Sequence, residues 1–241
     1  RIAPVLLRKT VCLSPLIAVI LDNPVFQGIA EEELPELLEF LDAKEKDFVR
    51  DETVFHLGDR TEWMGGVLSG GVNIFRTDVW GRQSILDHVN PGEVFGETYA
   101  CLGDIPLMVD VSASEESVIL FLKIRKITQI QPEPGSSRFR LMQNLFHIMA
   151  EKNLNLSRKI SHITPKSIRG RIVSYLSYEA VRQKSSSFEI PFNRQQMADY
   201  LLVDRSALSA ELSRMQAEGL LTFRRNRFCL HTELKDDHKS M

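Results

Sequence analysis

Between Val54 and Ile124 the chain is written in short β-type runs broken by glycine, a texture that no long helix survives. The runs are "VFHLGD", "GGVLSGGVNIFRTD", "SILDHVNPGEVFGE" and "SVILFLKI", with Gly65, Gly66, Gly70, Gly71, Gly81, Gly92 and Gly96 between them or at their ends. Glycine at such places is what tight turns with positive φ demand. Many short strands at turn-limited spacing specify an antiparallel barrel or jelly-roll sandwich. Ahead of them "EEELPELLEFLD", residues 31–42, reads as a short amphipathic helix. "GGVLSGG" has no Lys-Ser/Thr after it and no helical pattern to follow, which argues against a nucleoside-triphosphate loop.

"QPEPGSS" at residues 131–137 ends this texture, and helical periodicity takes over. Phe139, Phe146, Asn153 and Ile160 recur every seven residues, as do Met142, Met149, Leu156 and Ile163. Taken as heptad positions a and d, these form almost four heptads with one polar member, Asn153. A buried Asn at a pairs with its own copy across a parallel two-stranded interface and fixes the register. The alternative is a single stripe packed on the chain's own barrel, with Asn153 solvated. Thr164-Pro165 then reads as an N-cap followed by proline in the first helical turn, which places a domain boundary and hinge there.

Beyond that boundary "KSIRGRIVSYLSYEAVRQ" reads as a helix and "SSSFEIPFN" as a connector with a short strand. Residues 194–201 and 205–217 are two further helices, joined through Ala198, Met197, Leu201, Val203, Leu208 and Leu212. Asp204 is the N-cap of the second, which turns Arg205, Ser206 and Ser209 outward. "GLLTFRRNRFCLHT" is strand, basic turn, strand, carrying Arg224, Arg225 and Arg227. Three helices, a tight turn and a basic hairpin make a winged helix-turn-helix, whose second helix enters the DNA major groove. Leu202 occupies the turn where glycine is usual, and a left-handed Leu costs on the order of 1 kcal/mol.

Charge agrees with that assignment. The net charge of −2 hides 17 Lys/Arg against 23 Asp/Glu in residues 1–163, and 11 against 6 in residues 164–231. A basic module on an acidic body calls for a polyanionic partner. Cys12, Cys101 and Cys229 form no CxxC pair and the six histidines show no HExxH spacing, so no metal or cofactor is indicated and a reducing cytoplasm is expected. "LSPLIAVIL", residues 13–21, is shorter than the ~20 residues of a membrane span and reads as a packing segment.

Three segments, "NPGEVFGE" at 90–97, "IRGRIVSYL" at 168–176 and "RQQMADYLLVDRSALSAELSRMQAEGLL" at 194–221, carry a resemblance. Over about residues 22–231 the chain resembles the bacterial Crp/Fnr family of transcription regulators (cyclic-AMP receptor / fumarate-nitrate regulator family). The resemblance implies an α+β chain with an N-terminal extension (1–21) and a sensory, cyclic-nucleotide-binding-like β-roll of jelly-roll type (22–135). A dimerisation helix (136–163), a winged helix-turn-helix (164–231) and a polar tail (232–241) follow. The expected function is that of a homodimer that reads a palindromic operator in response to an effector, with RNA polymerase as partner if it activates. The rival is a nucleotide-binding module that controls a partner protein, and it leaves the basic helix and wing without a use. No acid–base pair or nucleophile–His spacing marks an enzyme.

The family's three base-reading positions resemble Arg205, Ser206 and Ala210 here, and only Arg205 keeps the forked donor suited to guanine. Arg194, Arg214 and the wing arginines are the phosphate candidates. In nucleotide-binding relatives the segment matching residues 95–113 holds a cyclic phosphate with backbone N–H groups and one Arg, while a Glu takes the ribose. Gly96 and Glu97 match its start, but the Arg position falls on Leu107, followed by Met108. A buried phosphate would go unpaired there. Cyclic AMP is therefore expected to bind poorly. The unknown effector is expected to be less anionic and more apolar, in a pocket of Phe95, Gly96, Glu97, Cys101, Leu107, Met108 and Leu156. Cys101 is open to two readings, a thiol sensor or a small buried apolar residue.

Overall fold

A computed structural model of the chain describes residues 23–77, 80 and 83–231; the N-terminal extension at 1–21 and the tail at 232–241 lie outside them. The chain divides into two compact units, Arg1–Glu151 and Lys152–Met241. The division falls inside the longest helix, whereas the sequence places a hinge at 164.

In the first unit, helix α1 (Leu34–Phe40) follows two 3-10 turns, Pro24–Phe26 and Glu31–Glu33. Eight strands come next: β1 (Lys44–Phe48), β2 (Thr53–Phe55), β3 (Met64–Ser69), β4 (Val72–Thr77), β5 (Gln83–Val89), β6 (Val94–Phe95), β7 (Asp110–Ala113) and β8 (Ser117–Leu122). A short helix α2 (Glu97–Leu102) interrupts them, and α3 (Arg125–Thr128) and the long α4 (Ser137–Ile163) follow. The strands pair antiparallel in two sheets, ordered β1-β8-β3-β6 and β2-β7-β4-β5.

The first sheet is covered on both faces. Leu120 and Leu122 of β8, with Met64 and Leu68 of β3, pack against Leu34, Leu37, Leu41, Leu141 and Leu145. Their neighbours Ile119, Phe121 and Val67 meet Phe55, Val72 and Val111 of the other sheet. That is why "SVILFL" is apolar at nearly every position rather than alternating. Each fully buried Leu or Phe here is worth roughly 1.5–3 kcal/mol of transfer free energy.

Gly65 and Gly66 correct the reading of glycines as turn residues, because both lie inside β3. A Cβ on Gly65 would sit 2.3 Å from the Phe95 ring, so the position is kept bare by close packing, not by φ. Gly70, Gly92 and Gly96 do have positive φ, as turns require.

Helix α4 buries Leu141 and Leu145, one turn apart, in the core of the first unit. Neither belongs to the heptad series. Of that series Phe139, Met142, Met149 and Ile163 are half-buried, while Phe146, Asn153, Leu156 and Ile160 are exposed. The helix thus packs on its own barrel through one stripe and presents the other.

The second unit holds α5 (Ile168–Arg182), β9 (Ser187–Glu189), α6 (Arg194–Leu201), α7 (Arg205–Ala217), β10 (Leu221–Arg224) and β11 (Arg227–Leu230). Its sheet runs β10-β11-β9. The start expected for α5 at Thr164-Pro165 is corrected to Ser167, whose side chain accepts from Gly170 N–H. Thr164 instead closes the preceding helix, its hydroxyl donating to the Ile160 carbonyl at 2.6 Å. Ile172, Tyr175 and Leu176 of α5, Met197 and Leu201 of α6, and Leu208, Leu212 and Met215 of α7 form one core with Leu221 and Phe228.

Candidate functional site

Helix α6 opens on a reciprocal cap: Asn193 accepts from Gln196 N–H at 3.0 Å, and the Gln196 side chain accepts from Asn193 N–H at 2.8 Å. Ala198, fully buried, lets the next helix approach. The helix ends at Leu202 in the left-handed region, φ 53° and ψ 52°. Arg171 of α5 holds that strained turn by donating through Nη1 to the carbonyls of Leu201 (3.0 Å) and Leu202 (2.9 Å). Asp204 caps α7, accepting from the N–H of Ser206 (2.8 Å) and Ala207 (2.9 Å) and from the Ser206 hydroxyl. These bonds, the hydroxyl's first, hold its carboxyl below the usual range.

With Leu208, Leu212 and Met215 buried, the opposite face of α7 is set by geometry. Arg205, Ser206, Ala210, Ser213 and Arg214 are exposed there, and Ser209 is half-buried. The serines have already committed their protons. Ser206 donates to Asp204, Ser209 to the Arg205 carbonyl at 2.9 Å, and Ser213 to the Ser209 carbonyl at 3.0 Å. Arg205 therefore brings the uncommitted donors on the first turn. Arg214 lies 3.2 Å from Glu211 but remains 71% exposed.

The wing places Arg224, Arg225 and Arg227 at the surface, with Arg225 at positive φ in the hairpin turn. Arg227 is paired with Glu189 of β9 at 3.1 Å. Arg205, Arg224 and Arg225 have no carboxylate partner among the described residues. Arg194, expected as a phosphate ligand, is turned inward instead. Its guanidinium lies over Phe223 (4.9 Å) and Phe228 (5.8 Å) and donates to the Arg225 carbonyl at 3.3 Å. Burial pulls its pKa below the ordinary arginine value, so its structural task is to join α6 to the wing.

Two arginines that matter here were not singled out from the sequence. Arg169 Nε donates to Glu211 at 2.6 Å, and its Nη1 and Nη2 donate to Glu218 at 2.8 and 2.7 Å, which clamps α5 to α7. Arg171 holds the turn. Their signal is a pair of arginines flanking Gly170 in a half-buried helix, but the partners by which they hold α6 and α7 lie 30–49 residues farther on.

The expected effector segment has a different character. Phe95 is buried against Phe55, their ring centroids 5.7 Å apart. Gly96 starts α2 at φ 75°, and Glu97 is buried at its first turn. Leu107, only 3% exposed, packs in the cluster of Phe48, Phe55, Val111 and Phe121 between the sheets. Its N–H and C=O bond to Asp59 O and Gly58 N, both at 2.8 Å, so the backbone is pinned as well. Met108 is exposed, its N–H donating to the Tyr99 hydroxyl at 3.3 Å. Cys101 is half-buried, and burial followed by the Glu97 charge pushes its thiol pKa up, away from a reactive thiolate. Leu156 is exposed in the second unit. Among the described residues no cluster of His, Cys, Asp or Glu could hold a metal ion, and no helix is long and apolar enough to cross a membrane.

Comparison with known proteins agrees with both units. Residues 45–131 match the cyclic nucleotide-binding domain, and residues 170–234 match the Crp-like helix-turn-helix domain. A "Cyclic AMP receptor protein" of Thermus thermophilus is 33% identical over 75 residues, 31% of this chain and 34% of that protein. "Transcriptional activator protein FnrL" of Cereibacter sphaeroides is 20% identical over 193 residues, 78% of this chain and 76% of that protein. A solved structure of the c-di-GMP responsive global regulator CLP of Xanthomonas campestris superposes with a TM-score of 0.52 at 19% identity, covering 85% of this chain and 100% of that one. That last likeness is one of fold.

Proposed function

The chain belongs to the Crp/Fnr family of DNA-binding transcription regulators, and from that premise we propose that it reads a palindromic operator as a homodimer under control of an effector other than cyclic AMP. The observation that carries the DNA reading is α7 itself: buried Leu208, Leu212 and Met215 aim Arg205 outward, beside a wing bearing Arg224 and Arg225. Arg205 recognises guanine through its fork, and Arg214, Arg224 and Arg225 hold phosphates. Exposed Phe146, Leu156 and Ile160 along α4, in register with Asn153, form the dimer seam. A two-fold dimer sets half-sites about 34 Å apart, one helical turn. With bound effector the β-roll repositions the two reading helices, and as an activator the dimer works with RNA polymerase.

Leu107 supports the effector reading. An apolar side chain fills the site where the family's phosphate partner would stand, so a cyclic phosphate would lose its charge-assisted bonds. Selection of binding sites from random DNA tests the operator reading, with a palindrome of that spacing as the expected result; an unsymmetrical single half-site would overturn the dimeric reading. Calorimetry with cyclic AMP and cyclic GMP should give no micromolar binding, and micromolar affinity for either would overturn the argument from Leu107.

A further inference from the structure

The second unit contains a cleft lined by no residue of α7 or the wing. It has a volume of about 250 Å³ and is lined by Arg158 of α4, by Tyr175, Glu179 and Arg182 of α5, and by Phe192 and Tyr200. Three of these rings form a continuous wall. The centroids of Phe192 and Tyr200 lie 5.0 Å apart, those of Tyr175 and Tyr200 5.4 Å, and Tyr175 stacks on Phe192 at 5.8 Å.

The polar groups of the cleft are incompletely matched. Tyr175 is 3% exposed, and its hydroxyl has no hydrogen-bond partner among the described residues. Outside the lining, His162 Nε2 is likewise without a partner among the described residues, its ring 5.6 Å from that of Tyr175 and its Nδ1 facing Ser174 Oγ at 3.1 Å. Buried polar groups are nearly always paired, and an exception calls for an explanation. Glu179 is buried but satisfied: Arg182 donates to it at 2.7 and 3.1 Å and Gln183 at 2.9 Å. Arg158 is not neutralised. Its Nη1 donates to the Asn155 side chain at 3.1 Å, its guanidinium lies 5.4 Å from the Tyr178 ring, and it has no carboxylate partner among the described residues. With Glu179 cancelled by Arg182, the lining keeps one positive charge.

We infer that this cleft is a second ligand site, separate from the β-roll, and that it takes a small aromatic carboxylate. The ring lies against Phe192 and Tyr200, the carboxylate pairs with Arg158, and the ligand supplies the missing partner of the Tyr175 hydroxyl. The volume, below the ~300–1,000 Å³ of pockets for drug-sized ligands, limits the occupant to about one ring.

Calorimetry on the full chain, with benzoate as the probe and benzamide as its uncharged isostere, decides the matter. Benzoate should bind with a Kd below about 1 mM, and benzamide about tenfold more weakly or worse, because the charge-assisted bond is lost. Arg158→Gln should weaken benzoate by about tenfold, and Tyr175→Phe severalfold. Tyr175→Phe should also raise the melting temperature of the ligand-free protein, since it removes a buried hydroxyl that has no partner. This readout shows that the variant folds, and Arg158 is only half-buried. No heat with benzoate at about 5 mM, equal binding of benzamide, or benzoate binding left unchanged by either substitution would each overturn the inference; the last outcome would place benzoate elsewhere in the molecule.

Discussion

Helix α7 and the segment at residues 95–113 are built by opposite means. In α7 the buried residues are scaffolding, and the side chains proposed to act are exposed, local in sequence and aimed by a cap and an apolar stripe. In the other segment Phe95, Glu97 and Leu107 are buried, so any ligand chemistry there depends on strands far apart in the chain. A surface built to read a polyanion can be set by one helix and its neighbours. A site inside a sheet sandwich cannot, and there a single buried side chain such as Leu107 is fixed by residues from several strands.

Both behaviours occur on α4, and the largest expected effect lies there. Leu141 and Leu145 are sealed in the core, at 0% and 5% exposed, whereas Ile160 is 51% exposed. Ile160→Asp should leave each chain folded and yield a monomer by sedimentation. Operator affinity should then fall by about 10²–10⁴, because the second half-site contact is no longer intramolecular. Wild-type protein that is monomeric at micromolar concentration would break the assignment of the exposed stripe.

The next test sets the two regions against each other directly. Leu107→Ala should cost about 2–5 kcal/mol of stability, read as a lowered denaturation midpoint, because it opens a cavity between the sheets. Arg205→Ala should change stability by less than about 0.5 kcal/mol, as surface substitutions do. It should lose about 1–3 kcal/mol on the selected operator and little on random DNA. Equal loss on both DNAs would make Arg205 a phosphate contact. Arg224→Ala and Arg225→Ala should weaken both DNAs alike and lower the salt slope by about 1 each.

Legibility in the sequence follows the same division. The bounds of α6 and α7 are those expected, because caps, a small residue and an apolar stripe are all local signals. Strand texture was legible for the same reason, through glycine. What stayed hidden required a partner distant in sequence. Gly65 is bare because of Phe95 on β6, and Arg169 and Arg171 are committed to residues beyond 200. Counting charge could not separate Arg205, exposed and without a carboxylate partner among the described residues, from Arg194, folded against two phenylalanines. On α4, the core-facing stripe of Leu141 and Leu145 lies beside the heptad stripe, whose Met142 packs against the same core. Periodicity alone therefore could not assign faces.

The smallest expected effect lies at the joint between α6 and α7. Leu202 is left-handed at φ 53° and 61% exposed, so its side chain buries little to offset a backbone that is costly for any residue with a Cβ. Leu202→Gly removes a strain of about 1–2 kcal/mol and adds about 0.4–1 kcal/mol of unfolded-state entropy. The net gain is roughly 0.5 kcal/mol, or about 2–4 °C for a unit of this size. The two carbonyls bonded to Arg171 belong to the backbone and survive the change. Operator affinity should therefore stay the same while the melting temperature rises. A lowered melting temperature would show that the Leu202 side chain stabilises the turn by more than its conformation costs, and would make this turn, too, a case in which tertiary contact outweighs the local signal.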